Sequence, residues 1–246
     1  MNRDDFSLVG KTILVTGASS GLGASTAIGC SRAGAKVIIT GRNSDRLNET
    51  FSQLEGKENQ LFVFDLCQKE KISDFCLNLQ SLDGLSLCAG ITRTVPIKFI
   101  KQEDIDDIFS TNILSSMILV QTLLKQKKIN EGGSIVFISS ISSFYADKGN
   151  AIYAASKGAI NSFSRVLALE LAARGIRSNC IQPGFIPTRL LGDRVTAEQL
   201  EIERQKYPLG FGKAEYIANG MIYLLSDASK WVTGTTLTID GGVTLR

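Results

Sequence analysis

Tyr153 and Lys157 stand four residues apart in Tyr153-Ala154-Ala155-Ser156-Lys157, downstream of a serine cluster, Ser139, Ser140, Ser142 and Ser143. On a helix, positions i and i+4 share a face one turn apart, so the ammonium can lie beside the phenol. A nearby positive charge favours phenolate and draws a tyrosine pKa down from about 10. A phenol tuned in this way can exchange a proton with a substrate oxygen. Taken alone, the pair reads more readily as an ordinary amphipathic helix with a partly buried Tyr and a solvated Lys, since such pairs arise by chance in helical proteins. A second feature stands near the N-terminus, where Thr12–Thr16 runs into Gly17-Ala18-Ser19-Ser20-Gly21-Leu22-Gly23 and then into a helical pattern. Bare backbone N–H groups and a positive helix end receive a pyrophosphate where side chains would block it, although glycines also serve tight turns. The chain contains no histidine, which excludes Ser-His-Asp and Cys-His nucleophiles and the usual His-containing zinc sites. Any proton transfer falls to another residue.

The elements that must position these residues alternate along 246 residues, of which 43% are apolar and 21% charged, a length and composition that fit one α/β domain over 1–246. The patterns predict strands at Thr12–Thr16, Lys36–Thr40, Leu61–Asp65, Leu85–Ala89, Ser134–Ser139, Ser178–Gln182 and Thr235–Ile239. Helical spacing appears at Leu22–Ala33, Lys69–Leu79, Glu103–Lys127, Ile152–Arg174, Ala197–Lys206 and Glu215–Ser226. Continuously apolar strands with intervening helices imply a parallel sheet covered on both faces. The least regular stretch, about 185–212, follows a strand end, where open α/β sheets build their ligand crevice, and is the expected substrate loop. The net charge is +3 with both signs interspersed, which calls for neither nucleic acid nor a membrane surface. Residues 1–10 lack a signal-type apolar core and no segment reaches about 18 uninterrupted apolar residues, so a cytoplasmic location is expected. Cys30, Cys67, Cys76, Cys88 and Cys180 show no C-x-x-C spacing and read as reduced thiols, with no metal expected.

The Gly-x-x-x-Gly-x-Gly spacing together with Tyr153-x-x-x-Lys157 resembles the classical short-chain dehydrogenases/reductases. The resemblance extends through Asp65-Leu66, Ala89-Gly90-Ile91, Asn112, Ser140, Pro183-Gly184 and Ile239-Asp240-Gly241-Gly242, nearly the full chain. It is nearest to the 3-oxoacyl-acyl-carrier-protein reductases and to sugar or polyol dehydrogenases that look like them. One departure is Leu87-Cys88, where the family has two asparagines; the lost side chain is mainly a structural hydrogen-bonder between strands.

The resemblance implies a Rossmann-type, doubly wound domain with a seven-stranded parallel sheet, and a catalytic set of Asn112, Ser140, Tyr153 and Lys157. Tyr153 would exchange the proton, Lys157 would lower its pKa and hold the nicotinamide ribose, and Ser140 would donate to the substrate oxygen. Asn112 would hold a water linking Lys157 to solvent. Ser139, Ser142 and Ser143 are expected to make local backbone hydrogen bonds. The implied cofactor contacts are Gly17, Ser19, Ser20, Gly21, Leu22, Gly23, Arg42, Asp65, Leu66, Cys88, Ala89, Gly90, Tyr153, Lys157, Pro183, Gly184, Ile186 and Thr188. At the end of the second strand Gly41 stands where an acidic residue would accept from the ribose of NAD. Arg42 follows, suited to a 2′-phosphate, so NADP(H) is preferred and NAD(H) remains open because Asp45 is close in sequence.

The expected function is an NADPH-dependent carbonyl reductase or alcohol dehydrogenase taking a 3-oxoacyl thioester or similar β-oxo substrate. The alternatives are a sugar or polyol dehydrogenase and, from another class, a non-catalytic nucleotide-sensing protein. Phe185, Ile186, Leu190 and Leu191 make the substrate loop partly apolar, for a ligand or for packing. Expected partners are a small carbonyl or alcohol substrate, an acyl carrier protein and further copies of the chain as a homotetramer or homodimer. Arg174 matches a basic carrier-docking position, whereas Glu131 stands at the second, with Lys127 and Lys128 as nearby substitutes.

Overall fold

The computed structural model describes residues 3–187 and 197–245. Seven strands, β1 (Thr12–Thr16), β2 (Lys36–Gly41), β3 (Gln60–Val63), β4 (Leu82–Leu87), β5 (Ile129–Ile138), β6 (Arg177–Pro183) and β7 (Thr236–Ile239), form one parallel sheet in the order β3-β2-β1-β4-β5-β6-β7. Alternate residues enter opposite layers: Leu14, Ile38, Ile135 and Phe137 join one core, while Ile13, Val15, Val37, Ile39, Val136 and Ile138 join the other. That two-sided burial is why the strands read as unbroken apolar runs. Each fully buried Leu, Ile or Val contributes about 1.5–3 kcal/mol.

Helices α1 (Gly21–Arg32) and α8 (Ala214–Leu225) cover the second core, and α3 (Ile72–Leu77), α5 (Ser115–Lys125) and α6 (Ala151–Leu171) cover the first. α2 (Ser44–Phe51) follows β2, and α7 (Ala197–Arg204) lies in the expected substrate loop. The predicted helix over Glu103–Lys127 is instead α4 (Gln102–Phe109), a π turn at Ser110–Leu114 and α5. By length and composition Gln102–Lys125 matches a membrane span, yet Ile108, Ile113, Leu119, Val120 and Leu123 are buried in the protein. All five cysteines are unpaired.

Order reverses between β1 and β4. Loops leaving adjacent strands toward opposite faces open a crevice at their carboxyl ends, and that is where the glycine-rich turn lies.

Candidate active site

The crevice holds a cavity of about 330 Å³ that runs from the end of β2, past the glycine turn and the end of β4, to Ile138, Tyr153 and Lys157. Gly17 (φ +65°) and Gly21 (φ +57°) adopt the left-handed conformation that side chains disfavour. A Cβ on Gly17 would stand 2.8 Å from Ala89 Cα, and one on Gly23 would collide with the Gly17 carbonyl. The turn is therefore drawn against the β4 loop and against itself. Ser20, the N-cap of α1, makes no side-chain cap, and the first turn carries no acid. The positive helix end thus faces the cavity without a competing anion, a cradle that fits a pyrophosphate. Thr16 braces the far wall: its hydroxyl accepts from the backbone N–H of Cys88 (3.1 Å) and of Ala89 (3.3 Å).

The Cys88 thiol lies 3.2 Å from the Ser86 hydroxyl, and burial pushes its pKa up to about 11, keeping it neutral. Thr16 thus cross-links β1 to the end of β4. Strand β4 ends at Leu87, not Ala89 as its apolar run suggests, which frees Cys88, Ala89 and Gly90 to line the cavity.

At the other end, Arg42, 61% exposed at its side chain, lies 4.0 Å from an Asp65 carboxylate oxygen. Arg46 joins it on the cavity wall, a residue sequence reasoning missed. The signal was present in Asn43-Ser44-Asp45: Asn43 caps α2 by accepting from Arg46 N–H (2.9 Å), and the resulting first turn brings Arg46 beside Arg42. A Cβ on Gly41 would meet Ser19 at 3.3 Å, so an acidic side chain has little room there. Two guanidinium groups beside Gly41, against the single Asp65 carboxylate, suit a phosphate better than a bare ribose hydroxyl.

Tyr153 and Lys157 project from the first turns of α6 into the cavity, with Lys157 Nζ 5.6 Å from the Tyr153 ring centroid. The ammonium is nearly sealed from solvent (3% exposed) and donates to the Ile138 carbonyl at 2.8 Å. Burial lowers the Lys157 pKa to about 8. The sequence expectation that Lys157 depresses the tyrosine is corrected here. Burial raises the Tyr153 pKa, the Ser140 hydroxyl opposes that rise, and the lysine, committed to Ile138, is not among the causes. The phenol consequently stays protonated, as a proton donor must.

Ser140 ends β5 and caps the turn Ile141–Ser143, accepting from Ser142 N–H at 3.1 Å and donating to Ser142 Oγ at 3.2 Å. Its neighbours differ in role. Ser143 donates locally to the Ser140 carbonyl, as expected, but Ser139 reaches across to the Lys157 carbonyl (3.2 Å) and ties α6 to β5. Ser142 instead accepts from side chains, among them Asn150. Asn112 sits in the π turn, fully buried. Its side chain accepts from Ile91 N–H (2.8 Å) and donates to the Ile91 carbonyl and to Ser156 Oγ. It therefore buttresses the β4 loop and α6 and does not face the cavity with its amide. Gly90 leaves the gap between them: a Cβ there would meet Asn112 Oδ1 at 3.3 Å and Lys157 Nζ at 3.5 Å.

Of the expected cofactor contacts, Gly17, Ser19, Ser20, Gly21, Leu22, Gly23, Arg42, Asp65, Leu66, Cys88, Ala89, Gly90, Tyr153 and Lys157 line the cavity. Pro183, Gly184 and Ile186 do not. The Gly184 N–H donates to Ile239 and Ile186 packs toward Gly212. Thr188, with Leu190 and Leu191, lies outside the described residues. Beyond the Ser140 turn a second cavity of about 680 Å³ opens between Thr94–Ile97 and the 142–151 loop, with Pro96, Ile97, Phe144, Ala146 and Ala154 on its walls.

Arg174 does not stand at the mouth. It follows the 21-residue α6, which begins at the catalytic end and spans about 30 Å. Its guanidinium donates to the carbonyl of Ile129, the first residue of β5, at the amino edge of the sheet. Lys128 likewise donates to the Leu77 and Leu79 carbonyls, and Glu131 belongs to the same edge. Within one chain these residues cannot guide a partner to Tyr153.

A glycine-lined pyrophosphate cradle at a strand-order reversal, with a half-buried Tyr153 and a buried Lys157 at its far end, defines a Rossmann-type dinucleotide enzyme. The family model of the short chain dehydrogenases matches residues 11–199, and the chain belongs to that family. A 3-oxoacyl-[acyl-carrier-protein] reductase of Rickettsia felis is 36% identical over 96% of this chain and 98% of its own. The gluconate 5-dehydrogenase of Gluconobacter oxydans is 32% identical over 98% of each. Among solved structures, a gluconate 5-dehydrogenase from Burkholderia cenocepacia in complex with NADP and tartrate superposes with a TM-score of 0.88 at 28% identity, covering 99% of this chain and 98% of that one. The protein is an NAD(P)-dependent oxidoreductase of the CH–OH/C=O class.

Proposed function

We propose that the protein is an NADPH-dependent reductase of a 3-oxoacyl thioester or similar β-oxo compound, with Tyr153 as proton donor. The observation that carries this reading is the placement of Tyr153 and Lys157 in the same cavity as the glycine cradle and the Arg42/Arg46 pair. When bound, a reduced nicotinamide supplies the hydride. Tyr153 then gives its proton to the carbonyl oxygen, and Ser140, beside the phenol, donates a hydrogen bond to the same oxygen and stabilises the charge that develops there. Lys157, with a pKa near 8, holds positive charge at neutral pH in the same cavity, where it would hold the nicotinamide ribose. Asn112 keeps Ile91 and Ser156 in place, and with them the wall and the helix that carry this pair.

The mostly apolar cavity beyond Ser140, with Asp147, Lys148 and Asn150 among its lining residues, and the resemblance to the 3-oxoacyl reductase support an acyl substrate. Resemblance to gluconate 5-dehydrogenases keeps a polyol or sugar acid as the second reading. A panel of a 3-oxoacyl thioester, a keto sugar acid and a ketosteroid, each with NADPH and NADH, tests both. Turnover of the keto acid without the thioester would overturn the first reading. An acyl carrier partner, if it engages the mouth of the same chain, must use basic groups other than Arg174 and Lys128, so Arg174→Glu is expected to leave kcat/KM for carrier-bound and free thioester in the same ratio.

Arg42→Leu tests the cofactor choice. A hydrogen bond to a charged group contributes about 1.5–3 kcal/mol, so the Kd for NADPH should rise about 10–100-fold while that for NADH changes little. Titration by nicotinamide fluorescence reads both. Equal losses would mean that the β2–α2 turn had collapsed and that no 2′-phosphate site exists.

A further inference from the structure

Beyond the two main cores lies a small third one, in which Ile141, Tyr207 and Val243 pack with Tyr145, Phe185 and Phe211. It joins four segments of chain that no regular element connects: the Ser140 turn, the exit of β6, the residues after α7 and the C-terminal turn. Tyr207 is its hub. The residue is 8% exposed, its ring meets Phe211 edge-on at 5.5 Å, and its hydroxyl accepts from the Phe185 N–H at 3.2 Å. The Phe185 carbonyl accepts in turn from Gly212 N–H, and Gly184 is held by Ile239, so both neighbouring peptide units are anchored from one side. Phe185 and Phe211 meet at a tilt of 40°, with ring centroids 4.6 Å apart. Among the described residues the Tyr207 hydroxyl is the acceptor of the Phe185 N–H, so it adds a side-chain anchor to the backbone bonds and ring contact that already hold this segment.

That segment matters because of its place in the sheet. It leaves the carboxyl end of β6, beside β5, and the cavity ends at Ile138 and Tyr153 on β5 and α6. A dinucleotide laid across the strand-order reversal with its phosphates on the glycine cradle has one half at Arg42 and Arg46. Its other half must extend toward Ile138 and Tyr153, on the side of the sheet where β6 ends beside β5. We propose that Tyr207 is a positioning residue whose hydroxyl holds Gly184–Ile186 in register with the Ser140 turn, so that it governs the nicotinamide half of the site and not the adenosine half. The inference rests on the dinucleotide reading of the cavity given above.

Tyr207→Phe keeps the ring and removes the hydroxyl. Binding of NADPH and of 2′,5′-ADP, which carries the adenosine half alone, is measured on the intact chain, with hydrogen exchange at the Phe185 amide. Loss of one neutral hydrogen bond predicts a 3–10-fold weaker NADPH, an unchanged 2′,5′-ADP and faster exchange at Phe185. Phe211→Leu trims the same cluster but leaves the hydroxyl, so it should lower Tm while keeping the ratio of the two affinities. If Tyr207→Phe weakens both ligands equally, or if Phe211→Leu shifts the ratio as much, Tyr207 is structural only and the proposal falls. Should Tyr207→Phe fail to fold, an unprotected Phe185 amide in the wild-type protein overturns it and a protected one, lost in Tyr207→His, upholds it. Wild-type protein that binds neither ligand would bring down the dinucleotide reading itself.

Discussion

Tyr153→Phe is expected to lower kcat for carbonyl reduction by about 10²–10⁴-fold while leaving the NADPH Kd within about twofold, because general acid catalysis accounts for rate factors of that size. The substitution removes one hydroxyl and no ring volume, and the phenol lies at the end of the cavity away from the glycine cradle and the arginines. Cofactor binding and proton donation should therefore separate cleanly. The raised pKa of Tyr153 sharpens the test, since the wild-type phenol is protonated throughout the neutral range and no pH adjustment should restore the variant. A Phe variant that kept more than about a tenth of wild-type kcat would show that another group donates the proton.

Lys157→Met should abolish turnover to a similar degree and, in the same molecule, increase stability. Lys157 is 3% exposed and its pKa falls from 10.5 to about 8 because burial penalises the charged form. The sign follows from the linkage relation. A folded-state pKa below the unfolded value means that the unfolded chain binds the proton more tightly at alkaline pH, so wild-type stability rises as pH climbs from the folded value toward the unfolded one. Below about pH 8 the penalty is fully present, at roughly 3 kcal/mol for a shift of this size, against about 1 kcal/mol lost when the hydrogen bond to Ile138 goes. Denaturation at neutral pH should therefore find the Met variant about 1–2 kcal/mol more stable, and the advantage should shrink or reverse by about pH 10. A variant less stable than wild type at neutral pH, or a difference independent of pH, would mean that Lys157 is not held in an unfavourable charged state.

Such a residue, costly to folding and placed in the cavity, is what a functional site in a stable α/β frame looks like: the sheet and its two cores supply the stability that the buried ammonium consumes.

The strand sequence, the alternation with helices, the glycine turn and the Tyr153/Lys157 spacing could be read from the chain because each is local, whereas Asn112 and Ser140 entered only through the family resemblance. Period-two and helical spacing, and glycines where backbone must pass close, are properties of short windows. Thr12–Thr16 was legible to the residue for this reason, bounded by Lys11 on one side and Gly17 on the other. The tertiary structure decided what depended on residues far apart in sequence. The break in Glu103–Lys127 is one such case. Nothing in Ser110–Leu114 marks a π turn; it accompanies the Asn112 side chain bonding to Ile91 and Ser156, from two other elements. The strand ends moved because pairing partners, not apolar runs, set them: Ile129 pairs with Leu82 across a register shift and so lengthens β5. Arg46 became part of the site only when α2 turned it back beside Arg42, and Arg174 left it because α6 runs the full depth of the sheet. Charge obeyed the same division. The sequence placed an ammonium one turn from a phenol, but burial and the Ile138 carbonyl, which only the folded chain brings there, determined that the lysine pKa falls and the tyrosine pKa rises.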